Sequence, residues 1–268
     1  MGRVRALMVG DVVGDPGLLA LEAALPGLIQ EHRADFVVVN GENAAGGFGL
    51  SADTLARILA AGADVVTSGN HIWEKRDFWP VLEIGADRCI LRPANYPVVC
   101  PGRGWFRLEK AGTAWAVINL QGRELMTLID CPFKTFDAIY QEISGEKPPL
   151  PIIIVDFHAE STREKEALGL YLDGRAALMA GTHTHVQTAD EQLLPGGTAY
   201  MTDLGMTGAR ESILGMDSSI CLNRARNQVL YRMEAAKSVP GQELTCQGVL
   251  VEIDAGTGKA VSIHRIRQ

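Results

Sequence analysis

Gly181-Thr182-His183-Thr184-His185 follows directly on the apolar run Ala176-Ala177-Leu178-Met179-Ala180. It is the last of five junctions of this kind. Gly10-Asp11 follows Ala6-Leu7-Met8-Val9, and Gly41-Glu42-Asn43 comes just after Phe36-Val37-Val38-Val39. Gly69-Asn70-His71 comes just after Val65-Val66-Thr67, and Asp156-Phe157-His158 follows Ile152-Ile153-Ile154-Val155. Short continuous apolar runs read as strands buried on both faces. Side chains able to ligate a metal therefore recur at strand carboxyl ends, the edge of an open α/β sheet where ligands bind. Asp, Glu, Asn and His together are the donors that hold a hydrolytic pair of divalent ions.

The segments between these strands read mostly as helices. After strand 5–9, the turn Gly14-Asp15-Pro16-Gly17 precedes Leu18, Leu21, Leu25, Leu28 and Ile29 at helical spacing. Strand 36–40 leads through the glycine-rich loop Gly46-Gly47-Phe48-Gly49 to Ser51, a good N-cap for a helix carrying Leu55, Ile58 and Leu59. Strand 64–67 leads to Asn70-His71 and a further helix near 74–84. Right-handed crossovers in this βαβαβα pattern predict parallel strands with every cluster at one sheet edge. Trp105 to Glu109 and Ala114 to Asn119 read as two strands joined around Gly112, which introduces antiparallel pairing. Pro148-Pro149-Leu150-Pro151 reads as the entry loop of strand 152–155. Ser161-Thr162-Arg163-Glu164 has the form of a capping box opening a helix toward Leu172. Thr198 to Met201, Gln247 to Ile253 and Ala260 to Ile266 alternate enough to close a second sheet.

With 268 residues, 47% hydrophobic and 21% charged, the chain can bury one sizeable core, and a single domain over 1–268 is expected. A net charge of −7 argues against broad binding to nucleic acid or anionic membranes, while leaving room for a local positive site. No run approaches the roughly 18 apolar residues of a membrane span, and no basic stretch followed by an apolar one opens the chain. A soluble cytoplasmic protein is expected. Cys89, Cys100, Cys131, Cys221 and Cys246 are widely spaced without a Cys-x-x-Cys pair, which predicts reduced, buried thiols and no thiolate zinc site. The chain lacks Gly-x-x-x-x-Gly-Lys, Gly-x-Gly-x-x-Gly and Gly-x-Ser-x-Gly, which disfavours a kinase, a Rossmann oxidoreductase and a Ser-His-Asp hydrolase.

Each cluster taken singly has a plainer reading. Asp11 could cap the following helix. Glu42-Asn43 could form a solvated turn, Asn70-His71 a hydrogen-bonded loop pair, and His158 a core histidine bonded to backbone. His183 and His185 resist such a reading, because residues i and i+2 of a strand face the same way and bring both imidazoles to one locus. Joint occurrence decides for metal. Four of the six histidines lie in these clusters; His32, after a surface helix, and His264, in a terminal strand, are read as structural.

The order Gly-Asp, Gly-Glu-Asn, Gly-Asn-His, a lone His and Gly-x-His-x-His resembles the calcineurin-like metallophosphoesterases. Within them, Val9-Gly10-Asp11-Val12-Val13-Gly14, Asn40-Gly41-Glu42-Asn43-Ala44, Asp156-Phe157-His158-Ala159-Glu160 and Thr202-Asp203-Leu204-Gly205-Met206-Thr207-Gly208 resemble the bacterial YmdB-type group. Members of that group are associated with 2′,3′-cyclic nucleotide phosphodiesterase activity. The resemblance runs nearly end to end. It implies an α/β fold of two packed mixed β-sheets flanked by α-helices, a four-layer αββα arrangement. It also implies two divalent metal ions per chain, with Asp11, Asn43 and His185 at the first, Asn70, His158 and His183 at the second, and Glu42 between them. Two departures from the superfamily pattern bear on the metal. Val13 stands where the first motif usually has His, and Glu42 stands where a bridging Asp is usual. Amide oxygen thus replaces an imidazole, which favours iron or manganese, with zinc or magnesium as alternatives.

The chemistry this resemblance implies is in-line attack at phosphorus by a hydroxide bridging the metals. Asp11 and Glu42 would offset two of the four charges of such ions, leaving roughly +2 for a phosphate. His71, beside a ligand, is expected to give a proton or hydrogen bond to the leaving oxygen, because histidine titrates nearest neutral pH. Phe48 or Trp73 would stack on a base, and the stretches around Gly46–Gly49 and Thr207, Gly208 and Arg210 would supply backbone donors and a cation. The expected substrate is a small phosphodiester, foremost a 2′,3′-cyclic nucleotide. The alternatives are a phosphomonoesterase acting on nucleotides or phosphoproteins, and a regulatory protein that holds a nucleotide or RNA end with little turnover. No membrane partner is expected, and a homo-oligomer is compatible with the sequence.

Overall fold

The computed structural model of the protein describes residues 2–84, 89–145 and 150–268. Its first part runs β1 (Arg3–Val9), β2 (Asp11–Val12), α1 (Gly14–His32), β3 (Phe36–Asn40), α2 (Ala52–Ala60) and β4 (Val65–Thr67). A 3₁₀ turn at Arg76–Phe78 leads into α3 (Trp79–Ile84), then β5 (Trp105–Lys110), β6 (Thr113–Gln121), α4 (Pro132–Ser144) and β7 (Ile152–His158). There follow α5 (Thr162–Leu172), β8 (Leu178–Thr182), β9 (Gln192–Leu193), β10 (Ala199–Met201), β11 (Met206–Ala209) and α6 (Ser218–Asn227). The last strands are β12 (Leu244–Thr245), β13 (Gln247–Asp254) and β14 (Lys259–Arg267).

The apolar runs form the centres of two mixed sheets. One has the order β14-β13-β1-β3-β4, with β1, β3 and β4 parallel and β13 antiparallel to β1. The other has the order β5-β6-β7-β8-β10-β9, parallel from β6 to β10 with an antiparallel strand at each edge. Faces explain the layering. Met8, Phe36 and Val38 of the first sheet pack with Trp115, Val117 and Ile154 of the second, and Phe36 stacks on Trp115 at 4.5 Å between ring centroids. The outer face of the first sheet packs on Leu18, Leu21 and Leu25 of α1 and Leu55 and Ile58 of α2. That of the second packs on Phe136 and Ile143 of α4 and Leu168 of α5. The result is helix on sheet on sheet on helix, which is why the central strands carry apolar residues on both faces.

Several expectations are corrected. The cluster-bearing strands divide between the sheets, β1, β3 and β4 in one and β7 and β8 in the other, so the clusters meet where two sheet edges converge. Gln247–Asp254 and Lys259–Arg267 extend the first sheet, and only Ala199–Met201 joins the second. Alternation cannot choose between them: Val249, Val251 and Ile253 bury the same face in either. A small third sheet, β12-β11-β2, pairs Met206 with Asp11 in parallel. The stretch Gly14–Gly17 is the first turn of α1, whose N-cap is Val13, so Asp11 caps nothing. Ser51 does cap α2, accepting from Thr54 N–H. Ser161 caps α5, but Glu164 completes no box: its carboxylate accepts from the backbone N–H groups of Arg123 and Glu124 instead. Of the entry loop read before β7, Pro148 and Pro149 lie outside the described residues. All five cysteines are free, but only Cys246 is buried. Among the described residues no helix is long and apolar enough to cross a membrane.

Candidate metal centre

Asn40, Thr67, His158 and Thr182 end β3, β4, β7 and β8, so the convergence of the two sheets brings them together. Asn40, Thr67 and Thr182 share one partner, the fully buried Asp156. Its Oδ2 accepts from Asn40 Nδ2 at 3.0 Å and from the Thr67 hydroxyl, and its Oδ1 accepts from Thr182 Oγ1 at 2.7 Å. Burial pushes the Asp156 carboxyl up to about 6 against these bonds. With its proton given to Asp156, Thr182 Oγ1 accepts from His158 Nδ1 at 2.9 Å. That bond selects the Nδ1–H tautomer and turns His158 Nε2 toward the centre.

Three groups surround this nitrogen: Glu42 Oε1 at 3.0 Å, Asn70 Oδ1 at 3.1 Å and His183 Nδ1 at 2.9 Å. Even with a proton on Nε2, one proton could not serve all three neighbours, whereas a cation can. Glu42, His158 and His183 present ligand atoms that all lie within 4.8 Å of one another.

A second group adjoins the first. Asp11 Oδ2 accepts from His183 N–H at 3.2 Å, while its buried Oδ1 has no hydrogen-bond partner and lies 3.7 Å from His185 Nε2. His185 Nδ1 donates to the Leu214 carbonyl at 2.8 Å, which again directs Nε2 inward. Asn43 Nδ2 lies 3.1 Å from that Nε2 and 3.2 Å from Glu42 Oε1, so Glu42-Asn43 spans the two groups. The Asn43 amide presents nitrogen here; a half-turn about its last bond exchanges nitrogen for oxygen at that place. The orphaned Asp11 oxygen and the oversubscribed His158 nitrogen both fit divalent ions.

Charge follows the same logic. Burial pushes the Asp11 carboxyl up, opposed by His185 and His158. Burial alone would lower the His158 imidazole, but Glu42, Asp11 and Asp156 outweigh it and hold it at about 9. Burial likewise opposes ionisation of Glu42, yet His158 and His71 hold it at about 2. Burial, with His158 beside it, presses His183 down to about 3. Positive charge is therefore favoured between buried carboxylates.

The turn that carries His183 and His185 is where structure departs most from the strand reading. β8 ends at Thr182, and His183 and His185 take φ of 106° and 63°. Left-handed backbone of this kind costs a non-glycine residue about 1–3 kcal/mol, so surrounding contacts must hold it. Asp203 supplies them. Its Oδ2 accepts from Thr184 N–H at 3.1 Å and from Lys165 Nζ at 2.7 Å, in an ion pair no more than 1% exposed. Its Oδ1 accepts from Gly205 N–H at 2.9 Å, and Gly205 O in turn accepts from Asp11 N–H at 3.1 Å. One carboxylate thus braces both the histidine turn and the strand bearing Asp11. Asp203→Asn leaves the Lys165 charge buried without its partner, and is expected to lower stability by about 3–5 kcal/mol in urea unfolding. Metal equivalents should fall with it; wild-type stability and metal content together would refute the bracing role.

Close approach explains two glycines. A Cβ at Gly10 would overlap Gly205 O, and one at Gly69 would overlap the His158 ring and the Glu42 carboxylate.

A cavity of about 330 Å³ lies over the centre, with Glu42, Asn43, Phe48, His71, Glu160, His183 and His185 in its lining. Phe48 and His71 also line a neighbouring groove of about 930 Å³. The Phe48 ring meets His71 edge-on at 5.1 Å, and His71 Nδ1 lies 3.3 Å from Glu74 Oε1. The structure places the other expected substrate contacts elsewhere. Trp73 packs edge-on against Tyr96 at 4.5 Å and donates to Pro101 O. Thr207 and Gly208 are buried in β11, and Arg210 pairs with Glu243 at 3.0 Å on the surface. Their stretch serves the centre through the pairing of β11 with β2. Sequence reasoning missed Asp203, Lys165, Thr182 and Glu160 as contributors. Thr182, Asp203 and Glu160 stood within the motifs above, whereas nothing marked Lys165, a helix residue that meets Asp203 only through packing.

A family model described as YmdB-like protein matches residues 7–266. The chain belongs to the YmdB-like family. It is 43% identical over 263 residues to a 2′,3′-cyclic-nucleotide 2′-phosphodiesterase of Bacillus subtilis (strain 168), covering 98% of this chain and 96% of that protein. Two solved structures share the YmdB-like architecture. A hypothetical protein from Thermus thermophilus is 38% identical with a TM-score of 0.89, covering 99% of each chain. A structure described as a novel phosphatase, from Mycoplasma pneumoniae, is 30% identical with a TM-score of 0.90, covering 100% of this chain and 94% of that one.

Proposed function

We propose that this chain is a metal-dependent phosphoric ester hydrolase acting on small phosphodiesters, foremost 2′,3′-cyclic nucleotides. The observation that carries this reading is the facing set of Glu42, His158 and His183, beside the orphaned oxygen of Asp11, under a cavity that also presents His71. The named activity of the Bacillus subtilis relative supports the substrate class. Asp11, Asn43 and His185 would hold one divalent ion, Asn70, His158 and His183 a second, and Glu42 both. Iron or manganese best matches a donor set this rich in oxygen. When bound, such ions supply a nucleophile from water near neutral pH and stabilise charge on the phosphoryl oxygens.

The chain's own residues do the rest. Thr182 and the Leu214 carbonyl hold His158 and His185 in the tautomers that face inward. His71 stands at the cavity wall, where it gives a proton to the departing ester oxygen. Phe48, at the junction with the larger groove, offers a face to the base.

Purified protein of known metal content, assayed on 2′,3′-cyclic AMP, bis(p-nitrophenyl) phosphate and p-nitrophenyl phosphate, tests the reading. The diesters are expected to turn over, chelation to abolish turnover, and manganese or iron to restore it. Metal-loaded protein that binds a nucleotide or an RNA end without turnover would favour a regulatory role instead.

A further inference from the structure

The cavity over the metal centre has an uncommon charge balance for a phosphoester site. Among the described residues that line it there is no lysine or arginine, yet it holds a carboxylate outside the ligand set, that of Glu160. The Glu160 side chain is 46% exposed, and its Oε2 lies 3.2 Å from His183 Nε2. Arginine and lysine are the usual partners of a phosphate dianion. A carboxylate in the wall does the reverse, because it repels each further negative charge on the ligand.

We propose that Glu160 is a specificity-determining residue that sorts phosphoesters by charge, admitting monoanionic diesters and expelling dianionic monoesters, including the product of the enzyme's own reaction. This rests on the phosphodiesterase reading above. Hydrolysis of a cyclic diester adds one water: a new P–O bond forms, one ester P–O bond breaks, and the departing oxygen takes a proton. The phosphate left behind has gained an ionisable oxygen with a pKa of about 6, so its charge passes from about −1 toward −2 near neutral pH. The substrate thus meets one unit of repulsion from Glu160 and the product nearly two. At the effective dielectric of a partly exposed site, one extra unit of charge several ångströms away changes binding by roughly tenfold. The same carboxylate therefore lowers competition from cellular monoesters and hastens product release.

Glu160→Gln separates this role from support of His183, since the amide oxygen still accepts from His183 Nε2–H while the charge is gone. Relative to wild type, E160Q is expected to raise the ratio of kcat/KM for p-nitrophenyl phosphate to that for bis(p-nitrophenyl) phosphate by roughly tenfold. Calorimetry with 3′-AMP should show a similar tightening of Kd, an arm that reads whether or not turnover occurs. A ratio and a Kd within twofold of wild type would overturn the proposal. So would loss of bound metal in E160Q, which would make Glu160 a support of His183 alone. Absence of diester turnover in the metal-loaded wild type would instead count against the phosphodiesterase reading, while the 3′-AMP arm still decides for or against charge sorting.

Discussion

Glu42→Gln is expected to lower bound metal in both halves of the centre and to cut diester kcat/KM by more than about a hundredfold, the upper end of what removal of a group merely supporting a ligand costs. The side chain is 1% exposed and divides its oxygens between neighbours. Oε1 faces His158 Nε2 at 3.0 Å and Asn43 Nδ2 at 3.2 Å, and Oε2 accepts from His71 N–H at 3.2 Å. Glutamine keeps the volume, so packing is not at issue. It removes one of the two buried carboxylates nearest the imidazoles and places an amide N–H₂ where an acceptor stood. Metal equivalents per chain, measured on folded protein alongside kinetics, check the result. Two full equivalents in the variant would remove Glu42 from its place between the ions.

His71→Ala should show the opposite dissociation, with metal content kept and turnover of 2′,3′-cyclic AMP reduced by about 10²–10⁴-fold, the usual share of a positioned acid. Its ring contacts Phe48 and Glu74 at the cavity wall, and among the described residues the ligand Glu42 bonds only its backbone N–H, not its ring. Glu74 Oε1, 3.3 Å from Nδ1, anchors the ring on one side, and Nε2 is the nitrogen left to give to the leaving oxygen. The leaving group supplies the control. A p-nitrophenolate departs without help, so the variant should lose far less on bis(p-nitrophenyl) phosphate than on the cyclic nucleotide. Equal losses on both, or loss of metal, would assign His71 a different role.

The candidate ligands were legible because each follows an apolar strand, and a strand's end is the one place where a buried backbone can deliver a polar side chain to an edge. The division of those strands between two sheets was not legible from alternation. Any strand buried on both faces satisfies either sheet, and only the packing of Phe36 on Trp115 and its neighbours distinguishes them. His183 and His185 make the same point locally. Their spacing suggested convergence, but on the wrong grounds, since a left-handed turn braced by Asp203 brings them inward. Thr207, Gly208 and Arg210 stood out as a motif for substrate; Thr207 and Gly208 lie in the strand that pairs with the one carrying Asp11, and Arg210, just beyond it, pairs with Glu243.

By itself, then, the sequence determined the alternation of strands and helices, the donor types gathered at the strand ends, and the family. Those features follow from local periodicity and residue chemistry, which need no partner to be read. Tertiary structure alone decided the meeting of these side chains where two sheets converge, the tautomers imposed by Thr182 and Leu214, the burial of Lys165 against Asp203, and the presence of Glu160 in the cavity wall. Each depends on residues from distant parts of the chain meeting within about 3 Å, the hydrogen-bonding distance at which direction and charge take effect.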